Sequence, residues 1–308
     1  VHVEVQKKGN ARYYYLVENL RLKPRGWKKV RVYLGKNLKE HELEKIKRKK
    51  TPEILRKFDN IRKSVDPLLV LISRNELQKL ENIRNSYKKR VKKMDKLQYQ
   101  NYYENFLTQF TYDTNAIEGS TVTLQETAMI LFDKIVPEGK SIREINEVQN
   151  HKDAFDYMIS YKGEISKAFV LRLHKMLMHN ILWKYAGKFR NVQVYVRGAD
   201  FIPAKPQDVE KEFKRLMLWY RSNKKKYHPV VVAAYFHHVF ESIHPFRDGR
   251  VGRLLLNFIL RKNMFPMLDI KYKNRSEYYK ALQHANNKNL RPFVEIIINC
   301  LMEPEPSI

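Results

Sequence analysis

Within ten residues, His244-Pro245-Phe246-Arg247-Asp248-Gly249-Arg250-Val251-Gly252-Arg253, the chain gathers an imidazole, a carboxylate, glycines and arginines. An imidazole titrates near neutrality and suits a general base. Pro245 to Gly249 is a turn composition, and a helix that starts after such a turn offers free backbone amides and the positive end of its dipole to an anion. Arg250 and Arg253 add bidentate forks for oxygen anions, and Asp248 could hold Mg²⁺ through one oxygen. Each residue alone has a plainer reading: His244 as a packed helix end, Asp248 as a turn former, the arginines as surface charges. Together they point to a nucleotide-phosphate site with a histidine base.

Two helices must position that turn. Val232, Tyr235, Phe236, Val239, Phe240 and Ile243 recur at helical spacing and give the preceding helix one apolar face. The following helix, Arg250 to Leu260, is apolar almost all round after its first turn, as a central buried helix is. With these two, helices are expected near 123–134, 141–161, 166–180, 207–222, 229–243, 250–263, 274–287 and 291–302. From Lys39 to Asp113 the pattern is also helical, with interruptions expected at Pro52 and Pro67, and 77–110 reads as one long helix or a broken pair. Residues 1–36 alternate as strands, around Val1 to Val5, Tyr13 to Val17 and Val30 to Leu34, with a break at Lys23-Pro24-Arg25-Gly26. The segment Gly187 to Val196 alternates strongly enough to suggest a hairpin among the helices. The expected class is mainly α, with a small β-hairpin flap and a short antiparallel N-terminal extension. The expected divisions are a basic β-containing extension at 1–50, a helical linker at 51–100 and the principal domain at 101–303.

Composition sets the class. The 308 residues are 43% hydrophobic and 12% aromatic, enough to bury a core and to exclude wholesale disorder. The single cysteine, Cys300, excludes an intrachain disulfide or a cysteine-based zinc site, and it reads as a buried small hydrophobe. No apolar run approaches the roughly 20 residues that span a bilayer, and no leader is evident, so a soluble, cytoplasmic protein without a membrane partner is expected. His237-His238, and His174 with His179, lack an acidic or thiol companion at metal-ligand spacing and read as packing or surface residues. Lys and Arg number 60 against 33 Asp and Glu, a formal charge of +27. The first hundred residues alone carry 29 against 11, including the run Lys45 to Lys50. Such a field can attract nucleic acid through residues 1–95, or it can be a solvated helix face.

At His244 to Arg253 the sequence resembles the Fic family, whose motif runs His-x-Phe-x-Asp/Glu-Gly-Asn-Gly-Arg-x-x-Arg. The likeness extends through 114–158, 173–190, 201–219 and 278–293. It implies an all-helical domain that moves AMP from ATP, with Mg²⁺, onto a Tyr, Thr or Ser hydroxyl of a protein substrate or of the chain itself. His244 would be the base, Asp248 the metal ligand, and Gly249, Arg250, Gly252 and Arg253 the nucleotide-binding residues. Phe246 would anchor the loop in the core. Upstream, Thr114-Asn115-Ala116-Ile117-Glu118-Gly119 is similar to the family's inhibitory motif, which implies that Glu118 pairs with Arg253 and competes with the γ-phosphate. Lys188, Phe189, Arg190, Asn191, Val192, Gln193 and Val194 fall where the family carries a flap that docks the target as an added strand. Relatives with this inhibitory arrangement often form homodimers.

The sequence departs from the family at one place. Gly249 adjoins Arg250 where the motif has Gly-Asn-Gly-Arg, so an Asn and a Gly are absent from the phosphate loop. Two residues reach about 7 Å when extended, and a loop shortened by that much cannot keep the same amide array. If the deletion is genuine, reduced or absent transfer is expected. A self-inhibited adenylyltransferase is the first reading. A silent nucleotide-binding scaffold and a nucleic-acid-binding regulator acting through residues 1–95 are the others.

Overall fold

The structure, a computed structural model, describes residues 1–21, 27–195 and 201–303. The expected break at Lys23 to Gly26, and Val196 at the end of the expected hairpin, lie outside the described residues. The chain divides into two compact units, residues 1–71 and 72–308.

In the first unit, β1 (His2–Lys8), β2 (Ala11–Arg21) and β3 (Trp27–Lys36) form an antiparallel sheet in the order β1-β2-β3. Its register is fixed by alternation. Val3 faces Leu16, which faces Val32, and Glu18 faces Val30, so Leu16, Leu20, Val30, Val32 and Leu34 share one face. That face buries Ile54 and Phe58 of α1 (Glu40–Val65). A small sheet gains stability when its apolar face is covered in this way. The interruption expected at Pro52 does not occur, because α1 runs through it. The lost backbone bond is local, the Thr51 hydroxyl donates to the Lys47 carbonyl at 2.7 Å, and contacts of Leu43 and Ile46 before Pro52 and of Ile54 and Phe58 after it hold the helix in the core of the unit. The expected boundary at residue 50 therefore falls inside α1, and the compact unit extends to Leu71.

The second unit is helical. The segment 77–110 is a broken pair: α2 (Arg74–Lys93) ends, and α3 (Lys96–Ile117) restarts at Asp95, whose carboxylate accepts from Gln98 N at 2.8 Å. The boundary expected at 100 falls within α3 for the same reason. Then come α4 (Leu124–Ala128), α5 (Ile142–Ser160), α6 (Lys167–Leu177), α7 (Val209–Asn223), α8 (Pro229–Ile243), α9 (Arg250–Lys262), α10 (Arg275–Asn286) and α11 (Arg291–Met302). The hub is α9, whose residues from Arg250 to Leu260 are all buried. Helices α3, α5, α6 and α8 pack on it, and α7, α10 and α11 pack on α8. The buried Asn257 amide donates to the Leu268 carbonyl at 2.9 Å and accepts from its N–H at 2.8 Å, clasping the segment after α9. Among the described residues no helix is long and apolar enough to cross a membrane.

No strand forms in 187–195, so the expected hairpin is absent from its described part. Phe189 turns inward against Phe213 and Phe246, Val194 is buried, and Arg190 spends its guanidinium on backbone carbonyls. Anchors on successive sides replace a ladder. Cys300, expected to be buried, is only partly so.

Candidate functional site

Helix α8 ends at His244, which adopts a left-handed conformation (φ 49°, ψ 58°) while its N–H still bonds the Phe240 carbonyl at 2.9 Å. A side chain in that conformation is unusual outside glycine and asparagine. Arg247 follows at φ 65°. Arg190 holds this turn in place. Its backbone N–H donates to Pro245 O at 2.9 Å, its Nε to His244 O at 2.8 Å, and its Nη2 to Ile243 O at 3.2 Å and to Ala204 O. Phe246 stacks on His174 at 4.0 Å and touches Phe240, which fixes the turn in the core. Arg190, Phe189 and Val194 thus serve the loop from within, while Asn191 and Val192 are exposed; Lys188 bonds back to Lys184 O, and Gln193 donates to Pro203 O at 3.3 Å.

Helix α9 begins at Arg250 with Gly249 as its cap. Asp248 accepts from the first helical amide, Arg250 N, and Glu118 reaches the amide of Gly249 from across the unit. Helix α3 stops at Glu118 because Gly119 takes φ 102° and bonds back to Ala116 O at 3.0 Å. The Glu118 carboxylate then meets Gly249 N at 3.3 Å and Arg253 Nη2 at 2.7 Å through the same oxygen. Arg253 is also gripped by Thr114, whose hydroxyl accepts from Nε at 2.6 Å and whose carbonyl accepts from Nη2 at 3.1 Å. Burial works against charge on Arg253, but the Glu118 carboxylate more than compensates and holds its pKa above the ordinary value. A carboxylate thus sits where one amide and one guanidinium converge.

Asp248 and Arg250 pair with each other. Arg250 donates from N and Nε to Oδ1 at 2.8 and 3.1 Å, and from Nε and Nη2 to Oδ2 at 2.9 and 2.5 Å, while its Nη1 reaches Asn115 Oδ1 at 3.0 Å. Both groups are buried; against that burial, the guanidinium holds the Asp248 carboxyl well below the usual carboxylate range. Every bond that Asp248 makes here is to Arg250, and both its oxygens are covered. This arrangement does not fit Mg²⁺, which needs an exposed carboxylate oxygen and room for its waters. The shortened loop explains it: with Gly249 next to Arg250, the arginine side chain folds back onto the carboxylate two residues before it.

Glu241 is a site residue that the sequence reading missed. Its Oε2 lies 3.7 Å from His244 Nδ1, and its Oε1 is buried without a hydrogen-bond partner. Burial pushes its carboxyl up despite the opposing pull of His244. A Cβ on Gly252 would come within 1.9 Å of that oxygen, so Gly252 is what lets the carboxylate lie along α9. The available signal was its place three residues before His244 on one helix face. Of the other histidines, His237 Nε2 bonds Tyr278 Oη at 2.8 Å, and His174 Nδ1 accepts from Gly187 N at 3.2 Å. Burial lowers both, to about 3 and about 4, so they are neutral near pH 7.

His244, Gly249, Arg253, Glu118, Gly119 and Glu241 line one cavity of about 1010 Å³, with Tyr195, Tyr272 and Tyr279 among its walls. Asp248, Arg250 and Gly252 lie behind its surface. The cavity is large enough for a nucleoside triphosphate and the edge of a protein segment.

Residues 164–260 match the Fic/DOC family model. Protein adenylyltransferase Fic from Nematostella vectensis is 36% identical over 199 residues, which are 62% of this chain and 46% of that protein. The chain thus spans less than half the length of that relative. Among solved structures, Fic-1 from C. elegans superposes with a TM-score of 0.67 at 28% identity, over 86% of this chain and 76% of that one. A Fic-domain signaling protein from Bacteroides thetaiotaomicron shares the fold at 23% identity and a TM-score of 0.66, over 73% of this chain and 93% of that one. The motif from His244 to Arg253 falls inside the matched span, so the likeness to the Fic/DOC family takes in the turn between α8 and α9.

Proposed function

We propose that this chain is a protein adenylyltransferase that uses ATP as donor and a Tyr, Thr or Ser hydroxyl of a protein, or of itself, as acceptor, and that Glu118 holds it off. The observation that carries the reading is the Glu118 carboxylate on Gly249 N and Arg253, an anion already seated at the start of α9 beside the imidazole of His244. A phosphate has the same charge and wants the same partners. ATP and Glu118 therefore compete, and removal of the carboxylate frees Arg253 for the terminal phosphate.

In the transfer step, the imidazole of His244 takes the proton of the acceptor hydroxyl as its oxygen forms a bond to the α-phosphorus. The bond from that phosphorus to the bridging oxygen breaks, and pyrophosphate leaves with the electron pair. Arg253 and the amides at the start of α9 stabilise charge on the phosphates. Glu241, 3.7 Å from His244 Nδ1, steadies the imidazolium that forms. Asp248 and Arg250 brace the loop through Asn115 and contribute no step of their own.

The test is incubation with ATP labelled in its α-phosphate, comparing wild type, Glu118→Gly and His244→Ala for protein-bound label. Glu118→Gly should raise the label at least about tenfold, the equivalent of one charge-assisted contact of about 1.4 kcal/mol, and His244→Ala should abolish it. Equal label in wild type and Glu118→Gly would remove the inhibitory role, and label that survives His244→Ala would remove the base.

A further inference from the structure

The first unit has a second face. Across the sheet from α1, the register stacks four cross-strand pairs in sequence: Tyr13 with Lys36, Tyr15 with Tyr33, Val17 with Arg31 and Asn19 with Lys29. The tyrosines form one ring cluster, with Tyr33 centred 5.5 Å from Tyr15 and 6.5 Å from Tyr13. Arg31 lies over the Tyr15 ring at 5.7 Å and Lys36 over the Tyr13 ring at 5.8 Å. Tyr33 is 49% exposed, and Trp27, at the start of β3, is 68% exposed. The apolar residues Leu16, Leu20, Val30, Val32 and Leu34 all point to α1, while on this face Val17 is buried between the tyrosine cluster and the Asn19–Lys29 pair. Charge is one-sided as well: residues 1–71 carry 20 Lys and Arg against 8 Asp and Glu. Glu4 holds Lys29 and Arg31 in place on the face.

We propose that this sheet face binds single-stranded nucleic acid, with unpaired bases stacking on Tyr13, Tyr15 and Tyr33 and the phosphodiester backbone lying on Lys29, Arg31 and Lys36. Aromatic rings on an open sheet offer π-faces that any base can use, and flanking cations follow the backbone. A duplex hides its base faces and would leave the rings idle. An acidic protein would use the cations but has no need of a tyrosine platform between them. Helix α1, which carries the lysine run, packs on the other side of the sheet, so that run adds long-range attraction rather than contact. Because phosphates displace Glu4 from Lys29 and Arg31, neutralising Glu4 strengthens binding.

The experiment uses the full chain and fluorescence anisotropy, with labelled oligothymidylate and oligouridylate of about 15 nucleotides, a duplex of the same length, and polyglutamate as competitor. Single strands should bind more tightly than the duplex, and the logarithm of affinity should fall linearly with the logarithm of salt. Tyr15→Ala with Tyr33→Ala should weaken binding about tenfold or more, whereas Tyr15→Phe with Tyr33→Phe should keep it. Arg31→Ala should lower the salt slope by about 0.7, the share of one phosphate on a single strand. Glu4→Gln, which leaves the rings and the sheet core intact, should tighten binding and supplies a check that does not depend on the alanine pair folding. The proposal is overturned if the duplex binds as tightly as the single strand, if polyglutamate competes equally at equal charge, or if Glu4→Gln and both tyrosine pairs bind as wild type does.

Discussion

Helix α3, which carries Glu118, is pinned by a buried acid pair near its end. Lys271 Nζ donates to Asp269 Oδ2 at 2.8 Å and lies 3.5 Å from Asp113 Oδ2, and Asp113 Oδ1 accepts from Tyr272 N at 2.6 Å. Burial, then the neighbouring Asp113 carboxyl, pushes Asp269 well above the ordinary aspartate value of 3.8, against the pull of Lys271. The folded chain therefore keeps a proton on Asp269 at pH values where the unfolded chain has lost it. Below about pH 4 both states are protonated and the contribution to stability is complete; it is lost as pH rises from there toward the raised value. Asp269→Asn keeps the shape and a hydrogen-bond donor without the proton equilibrium. In thermal melts, the midpoint of the variant relative to wild type should rise by several degrees between about pH 4 and pH 8, and a difference that stays flat with pH would show that Asp269 ionises normally.

The turn between α8 and α9 shows what two missing residues do to an element. The start of α9 retains Gly249 N and Arg253 as an anion site, but Arg250 closes on Asp248. Two consequences are measurable by calorimetry in the Glu118→Gly background. ATP affinity should change by less than about threefold between excess Mg²⁺ and chelator, a difference below about 0.7 kcal/mol. Insertion of Asn-Gly between Gly249 and Arg250 should separate the arginine from the carboxylate, and ATP binding should then become Mg²⁺-dependent by about tenfold or more. A strong Mg²⁺ effect without the insertion would show that Asp248 opens to the ion by itself. The same insertion should raise protein-bound label, since it restores amides to the phosphate loop.

At the scale of the whole molecule, the two units have separate cores. Leu16, Ile54 and Phe58 belong to the first, and the α8–α9 hub to the second. Leu16→Ala empties a fully buried position and should destabilise the first unit by about 2–5 kcal/mol. Hydrogen exchange should show faster exchange in β1–β3 and α1, with the amides of α9 unchanged and the label transferred by Glu118→Gly unaltered. Loss of protection in α9 would mean that the two units unfold together.

Much of this was legible from residue order. The apolar stripe of α8, the all-apolar α9 and the motif between them placed the site, because helical period and turn composition are local properties that sequence spacing expresses directly. Other features needed the fold. Pro52 sits inside α1 because packing against the sheet outweighs one lost hydrogen bond, and the alternation of 187–195 serves inward anchors rather than a ladder. Asp248 has the residue type of a metal ligand but Arg250 closes upon it, and Glu241, three residues before His244, takes its buried place only because Gly252 clears room for it 11 positions later. Sequence determined which groups are present and which helices carry them. Tertiary structure decided which charges meet, since an ion pair across 135 positions, such as Glu118 with Arg253, depends on how α3 docks against α9, and docking is set by the summed burial of whole helix faces rather than by any local pattern.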